Sequence, residues 1–127
     1  MAIELVTREK GGQKTPTREA SSAQEKAIAK ATGGRRTPNS GATDFGGKGD
    51  VVTDRFVLEA KTKMSKSKSI SLKREWFDKL AEEATFSGKP YSALVFNFGP
   101  GEKNHYVIDE DLFIILQERL EKTDEGA

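Results

Sequence analysis

The sequence predicts an α/β domain with a small mixed β-sheet flanked by helices. Leu72, Trp76, Leu80 and Ala84 recur every four residues, the spacing that lines up one face of an amphipathic helix. Short runs rich in β-branched and aromatic residues lie on both sides of it: Val51-Val52-Thr53, Phe56 to Thr62, and Tyr91 to Phe98. Such runs suit a pleated, half-buried surface. Taken in order, the elements read helix, two strands, helix, two strands, helix, and that alternation gives an α/β layer architecture.

Residues 1–17 are polar, contain Gly11-Gly12 and Pro16 and lack periodicity, so they read as a flexible arm ahead of a single domain over 18–127. Arg18 to Thr32 are good helix formers, with Ala20, Ala23, Ala27 and Ala31 at three- or four-residue spacing, and Gly33-Gly34 ends that helix. Arg35 to Gly41 is turn-rich and Phe45 to Gly49 continues the loop. Only Asp54-Arg55 separates the next two strands, which implies a hairpin. A lysine-rich linker follows, then the amphipathic helix from Leu72 to about Gly88, which Pro90 cannot extend. Tyr91 to Phe98 reads as a buried strand, Pro100-Gly101 as a turn and His105 to Ile108 as a short strand. Asp109 can cap a last helix whose Leu112, Ile115, Leu116 and Leu120 are expected to face the core.

A chain of 127 residues fits one compact domain. With no cysteine and a single histidine, His105, it has no thiolate zinc site, no cysteine nucleophile and no two-histidine metal site. Carboxylates must carry any metal. No apolar run reaches membrane-spanning length, and the N-terminus has no signal-peptide core, so a soluble cytoplasmic protein is expected. Net charge is only +1, but residues 1–49 hold nine Lys/Arg against five Asp/Glu while residues 50–127 hold twelve against fifteen. Lys61 to Arg74 carries six basic residues and no acid, a stripe suited to phosphate backbones or simply to solvent.

The chemistry-bearing residues lie on the hairpin. Side chains alternate along a strand, so Glu59 and Lys61 project on one side and Leu58 and Ala60 on the other. A two-residue turn at Asp54-Arg55 pairs Val52 with Val57, Val51 with Leu58 and Asp50 with Glu59. Opposed carboxylates that close repel, and a divalent cation between them relieves the repulsion. Mg2+ accepts a few carboxylates completed by water and phosphate oxygens, which makes a phosphodiester the natural substrate. Lys61 would then orient the attacking water. The alternative is structural: Asp50 as a strand-start cap, and Glu59 with Lys61 as an ordinary ion pair on an exposed strand.

Lys48-Gly49-Asp50, eight residues, then Glu59-Ala60-Lys61 resembles the PD-(D/E)XK nuclease core. With the upstream Arg35-Arg36-Thr37-Pro38-Asn39-Ser40-Gly41, the pattern is similar to the archaeal and bacteriophage Holliday junction resolvases, over roughly Ala20 to Phe113. Gly49 stands where a proline often precedes the first aspartate. The resemblance implies a restriction-endonuclease-like core in which Asp50, Glu59 and the Ala60 carbonyl hold Mg2+ (or Mn2+) and Lys61 is the catalytic lysine. It also implies a helical glutamate near the metal, best matched by Glu25 with Glu19 on the same helix, and a serine near the scissile phosphate, Ser40. Phosphate contacts fall to Arg35, Arg36, Asn39, Ser40, Lys48, Lys63, Lys66 and Lys68. The implied activity is resolution of four-way DNA junctions by a homodimer, in the cytoplasm (the host's, for a phage protein), with Phe113, Ile114 and Ile115 as a broad apolar run.

Two other readings stay open: a nuclease acting on flaps, nicks or restriction sites, and a non-catalytic DNA-binding module built on the basic residues. A Walker-type phosphate loop at Gly46-Gly47-Lys48 fails, because Ala42 stands at the first glycine position and Gly49 at the hydroxyl position.

Overall fold

A computed structural model describes residues 16–38 and 50–126; Asn39, Ser40, Lys48 and residues 1–15 of the expected arm lie outside that range, while Pro16 and Thr17, expected in the arm, belong to the first helix. Helix α1 (Pro16–Thr32) opens on a proline, whose missing N–H would have no intrahelical partner at a first turn. It stops at Gly33, at φ 76°, with the Gly33 and Gly34 amides both donating to the Ala29 carbonyl at 2.9 and 3.1 Å. The alanine stripe does not form the buried face as a whole. Ala23, Ala27 and Ala31 are exposed, whereas Gln24, Glu25 and Ile28 are buried. Ile28 has far more apolar surface to bury than any alanine, and turning it inward brings in the residues three and four positions before it.

Arg35 and Arg36 were expected in a loop but form a short strand, β1 (Arg35–Arg36). It pairs antiparallel with β2 (Val51–Val52). Gly34 permits the approach, since a Cβ there would lie 2.6 Å from the Val52 carbonyl oxygen. Strand β3 (Phe56–Lys61) forms the expected hairpin with β2, in the expected register of Val52 with Val57 and Val51 with Leu58. Asp54-Arg55 suffices as a turn because Thr53 Oγ1 accepts the Arg55 and Phe56 amides at 3.3 and 3.0 Å.

Helix α2 (Arg74–Phe86) carries the chain across to β4 (Tyr91–Phe96), which lies parallel to β3. The helix starts two residues after Leu72, which is exposed. Strand β4 ends before Asn97, whose Oδ1 accepts the Gly99 amide at 3.1 Å and turns the chain. Strand β5 (His105–Val107) returns antiparallel, completing a mixed sheet in the order β1-β2-β3-β4-β5. The β3 strand is therefore central.

Alternation along the strands makes two core clusters, one per sheet face. Ile28 packs on Val51, Leu58, Ala93 and Val95, while Leu80 and Ala84 pack on Val52, Val57 and Leu94. Helix α3 (Glu110–Gly126) is capped as expected, with Asp109 Oδ1 accepting the Leu112 amide at 3.0 Å. Its apolar residues, however, do not all face the core. Leu112 is buried and Ile115 half-buried, but Leu116 and Leu120 are 42% and 67% exposed. Only the first turns of α3 reach the core; Leu116 borders an open cavity of about 830 Å³ over Leu58, Ala93 and Ile108 that α1 leaves uncovered. No described helix is long and apolar enough to cross a membrane.

Candidate active site

Central β3 positions the site. Val57 belongs to the α2-side cluster and Leu58 to the α1-side cluster, so Glu59 and Lys61 face α2 by alternation. Asp50 lies just before β2 and outside its ladder: its amide donates at 3.0 Å to the carbonyl of Leu58, the residue already paired with Val51, so the expected strand pairing of Asp50 with Glu59 is not formed. Asp50 Oδ2 accepts the Ala60 amide at 2.8 Å, a short charge-assisted bond. The first acid is thereby fixed against the backbone between the second acid and the lysine.

Negative charge accumulates around this point. Burial pushes the Glu59 carboxyl up to about 7, with further contributions from Asp50 and Glu83, against the opposing pull of Lys61 and Lys79. Glu25 is also raised, first by burial and then by Asp50, although Arg36 works the other way. That arginine donates from Nε and Nη2 to Glu25 Oε1 at 3.3 and 3.2 Å. Glu83 is raised by burial and by Asp50 and lowered by Lys79 and Lys61. Its Oε2 is 3.8 Å from Lys79 Nζ, while its Oε1 is buried without a hydrogen-bond partner. Asp50 thus acts electrostatically on glutamates from α1, β3 and α2.

The lysine is held from α2. Lys61 is half-buried and its ammonium lies 4.4 Å from the centre of the Trp76 ring, a cation–π contact. A polar network fixes the backbone beyond it. Buried Gln24 donates through Nε2 to the Lys61 carbonyl at 3.2 Å and to Asn104 Oδ1 at 3.3 Å, and accepts from Thr62 Oγ1 at 2.7 Å. Asn97 Nδ2 also donates to Asn104 Oδ1, at 3.1 Å.

The predicted residues fall into distinct groups. Asp50, Glu59, Ala60 and Lys61 come together at one end of β3, and Glu25 is close enough for Asp50 to act on it. Arg36 is committed to Glu25, while Arg35 is exposed on β1. Lys63 lines a cavity beside Lys61, Lys66 pairs with Glu102 at 3.6 Å, and Lys68 is exposed. Glu83 and the contact of Trp76 with Lys61 were not anticipated. The signal for Glu83 was present: it stands seven residues after Trp76 and three after Leu80, on the apolar stripe of its helix.

Comparison with known protein families, curated proteins and solved structures gave no match to this chain. Among the described residues, no three His, Asp or Glu side chains form a ready-made metal cage. What the arrangement offers is an acid, Asp50, bonded to the backbone amide that follows Glu59, two further buried glutamates, and an ammonium group on the same strand face as Glu59.

Proposed function

We propose that this protein is a magnesium-dependent DNA endonuclease that resolves four-way junctions by paired symmetric nicks. One observation carries the catalytic part: Asp50 is bound to the Ala60 amide at 2.8 Å while Glu59 is held half-buried beside it, its carboxyl raised to about 7. A half-buried carboxyl that ionises with difficulty beside a second acid favours a cation. The donor set fits Mg2+, with Mn2+ as an alternative: Asp50, Glu59 and the Ala60 carbonyl would hold it, and water and phosphate oxygens would complete the shell. The buried, unpartnered Glu83 Oε1 adds negative potential on the same side. When bound, the ion supplies Lewis-acid stabilisation of the phosphoryl oxygens and a bound water of lowered pKa.

The chain's own groups do the rest. The Asp50 hydrogen bond fixes its carboxylate before substrate arrives, so little reorganisation accompanies catalysis. Lys61, steadied over Trp76, presents a positive charge to the scissile phosphate and a donor to the attacking water. Glu25 adds charge from α1 while Arg36 anchors it.

The junction preference rests on the resemblance of the sequences Lys48-Gly49-Asp50, Glu59-Ala60-Lys61 and Arg35 to Gly41 to the resolvases. Symmetric cuts need two active sites and hence a second copy of the chain. Exposed Phe113, Ile114, Leu116 and Leu120 on α3 supply apolar surface for such a contact.

The test is cleavage of a synthetic four-way junction, a flap and a linear duplex side by side with Mg2+. Paired nicks confined to the junction are expected. Equal cutting of all three would refute junction selectivity, and binding without cutting would favour a non-catalytic module. Asp50→Asn, Glu59→Gln and Lys61→Ala should each abolish cleavage and spare junction binding; activity retained in any two removes the assignment.

A further inference from the structure

The segment after β3, which reads as a lysine-rich linker, is a built part of the molecule. The Ser67 amide donates to the Phe98 carbonyl at 2.9 Å, and Ser67 Oγ donates to the Ser69 carbonyl at 2.7 Å and accepts the Ser69 amide at 3.3 Å. Lys66 pairs with Glu102 at 3.6 Å. Gly99 allows the contact: a Cβ there would lie 2.9 Å from Lys66 Cα.

Pinned in this way, the segment borders an open cavity of about 400 Å³ between itself, the end of β3 and the start of α2. Lys61, Lys63, Ser67, Ser69, Ser71 and Trp76 supply most of its wall, and among the described residues no carboxylate lines it. The Ser67 hydroxyl is spent on the Ser69 backbone, which leaves two lysines and the Ser69 and Ser71 hydroxyls on the wall, groups that suit an anion able to accept hydrogen bonds. The indole of Trp76 selects a flat or apolar body next to that anion. Helix α2 begins at Arg74 with no side-chain cap from Lys73, which adds the positive end of its dipole to the same side. A phosphate joined to a ring system satisfies all of these features. The volume falls within the roughly 300–1,000 Å³ of small-ligand sites and is too small for a stacked base pair with its neighbours.

We propose that this cavity is a subsite for a single unstacked nucleotide of the DNA strand, with its phosphate on Lys61 and Lys63 and its base or sugar against Trp76. Lys61 belongs both to the cavity and to the candidate catalytic constellation, so the bound nucleotide adjoins the phosphodiester to be cut. The subsite would favour strands with a displaced nucleotide, as at a branch point, over continuous duplex. Its role in cleavage rests on the nuclease reading, whereas its capacity to bind a strand does not.

Trp76 is the sole tryptophan, so its emission reports the subsite directly. The full chain, without divalent ion, is titrated with a short oligodeoxythymidylate, and in parallel with inorganic phosphate. A saturable emission change is expected with the oligonucleotide at concentrations where phosphate has none. Trp76→Ala should weaken binding, followed by fluorescence anisotropy of a labelled oligonucleotide, by about tenfold, and Trp76→Phe should restore most of it. Lys63→Ala should lower the slope of log affinity against log salt by about 0.7, the value for one phosphate contact on a single strand.

Ser69→Phe fills the cavity from its exposed side and leaves Trp76 and Lys61 in place. Binding should fall by at least tenfold with an unchanged unfolding midpoint. No emission change, an equal response to phosphate, or undiminished binding by Ser69→Phe would overturn the subsite. Cleavage that depends on Asp50 without any Trp76 response leaves the nuclease reading standing alone; a Trp76 response in a protein that never cuts leaves the subsite standing alone.

Discussion

Glu59→Gln is expected to stabilise the fold above pH 7 while removing the proposed nuclease activity. Glu59 titrates at about 7 in the folded chain against an ordinary 4.5. Between those values the folded state holds a proton that the unfolded state has lost. The group's stabilising contribution is therefore complete below pH 4.5 and disappears as pH rises through 7. At about 1.4 kcal/mol per pH unit, the span corresponds to ~3 kcal/mol, an upper figure because water reaches part of the side chain. Glutamine has nearly the same volume and does not titrate. The stability difference between variant and wild type should thus grow by up to about 3 kcal/mol from pH 4.5 to pH 8, or roughly 10 °C in midpoint for a chain of this size. Urea unfolding of both proteins at the two pH values measures it. Adding Mg2+ at pH 8 should stabilise the wild type and leave Glu59→Gln unchanged. Parallel pH profiles for the two proteins would refute the convergence of Glu59 with Asp50 and Glu83.

Other outcomes follow from the same geometry. Glu83→Met replaces a buried carboxylate that has one unpartnered oxygen and only an exposed lysine as its ion pair; urea unfolding at pH 8 should show about 1–2 kcal/mol of added stability. Arg36→Ala leaves Glu25 buried without its partner, and should cost about 2–3 kcal/mol at pH 8 and much less at pH 4, by the same measurement. Gly99→Ala forces a Cβ to within 2.9 Å of Lys66 Cα at φ 154°, so thermal unfolding should show at least about 2 kcal/mol lost. The dimer that the proposed junction resolution needs should appear in sedimentation of the wild type and be lost in Phe113→Asp with Leu120→Asp, both on the exposed face of α3; a monomeric wild type would remove the proposed dimer, and an unchanged dimer in the variant would place the contact elsewhere.

Local pattern made several elements readable in advance. The hairpin register of Val52 with Val57 and Val51 with Leu58 followed from a two-residue turn, because alternation on a strand leaves no freedom once the turn is set; the ladder stops there, and Asp50 comes near Glu59 through the bond of its carboxylate to the Ala60 amide rather than through the expected strand pairing. The Asp109 cap and the stripe Trp76, Leu80, Ala84 were readable for the same local reason. Other features depended on competition between segments. Nothing local marks Arg35-Arg36 as a strand; it becomes one because β2 offers an unpaired edge and Gly34 lets it approach. The alanines of α1 and the leucines of α3 have helical spacing, but which face is buried depends on the larger side chains and on the space left by other helices.

By itself the sequence determined the periodicities, the turn and the identity of the acids and the amine on and beside one strand pair, since these depend on residues within a few positions of one another. Only the tertiary structure decided that Asp50 binds the Ala60 amide, that Glu83 and Trp76 reach the α2 side of β3, and that a serine-rich segment runs beside Lys61. Those contacts join residues far apart in the chain. Their geometry comes from packing a helix onto a sheet, which depends on all the core side chains at once.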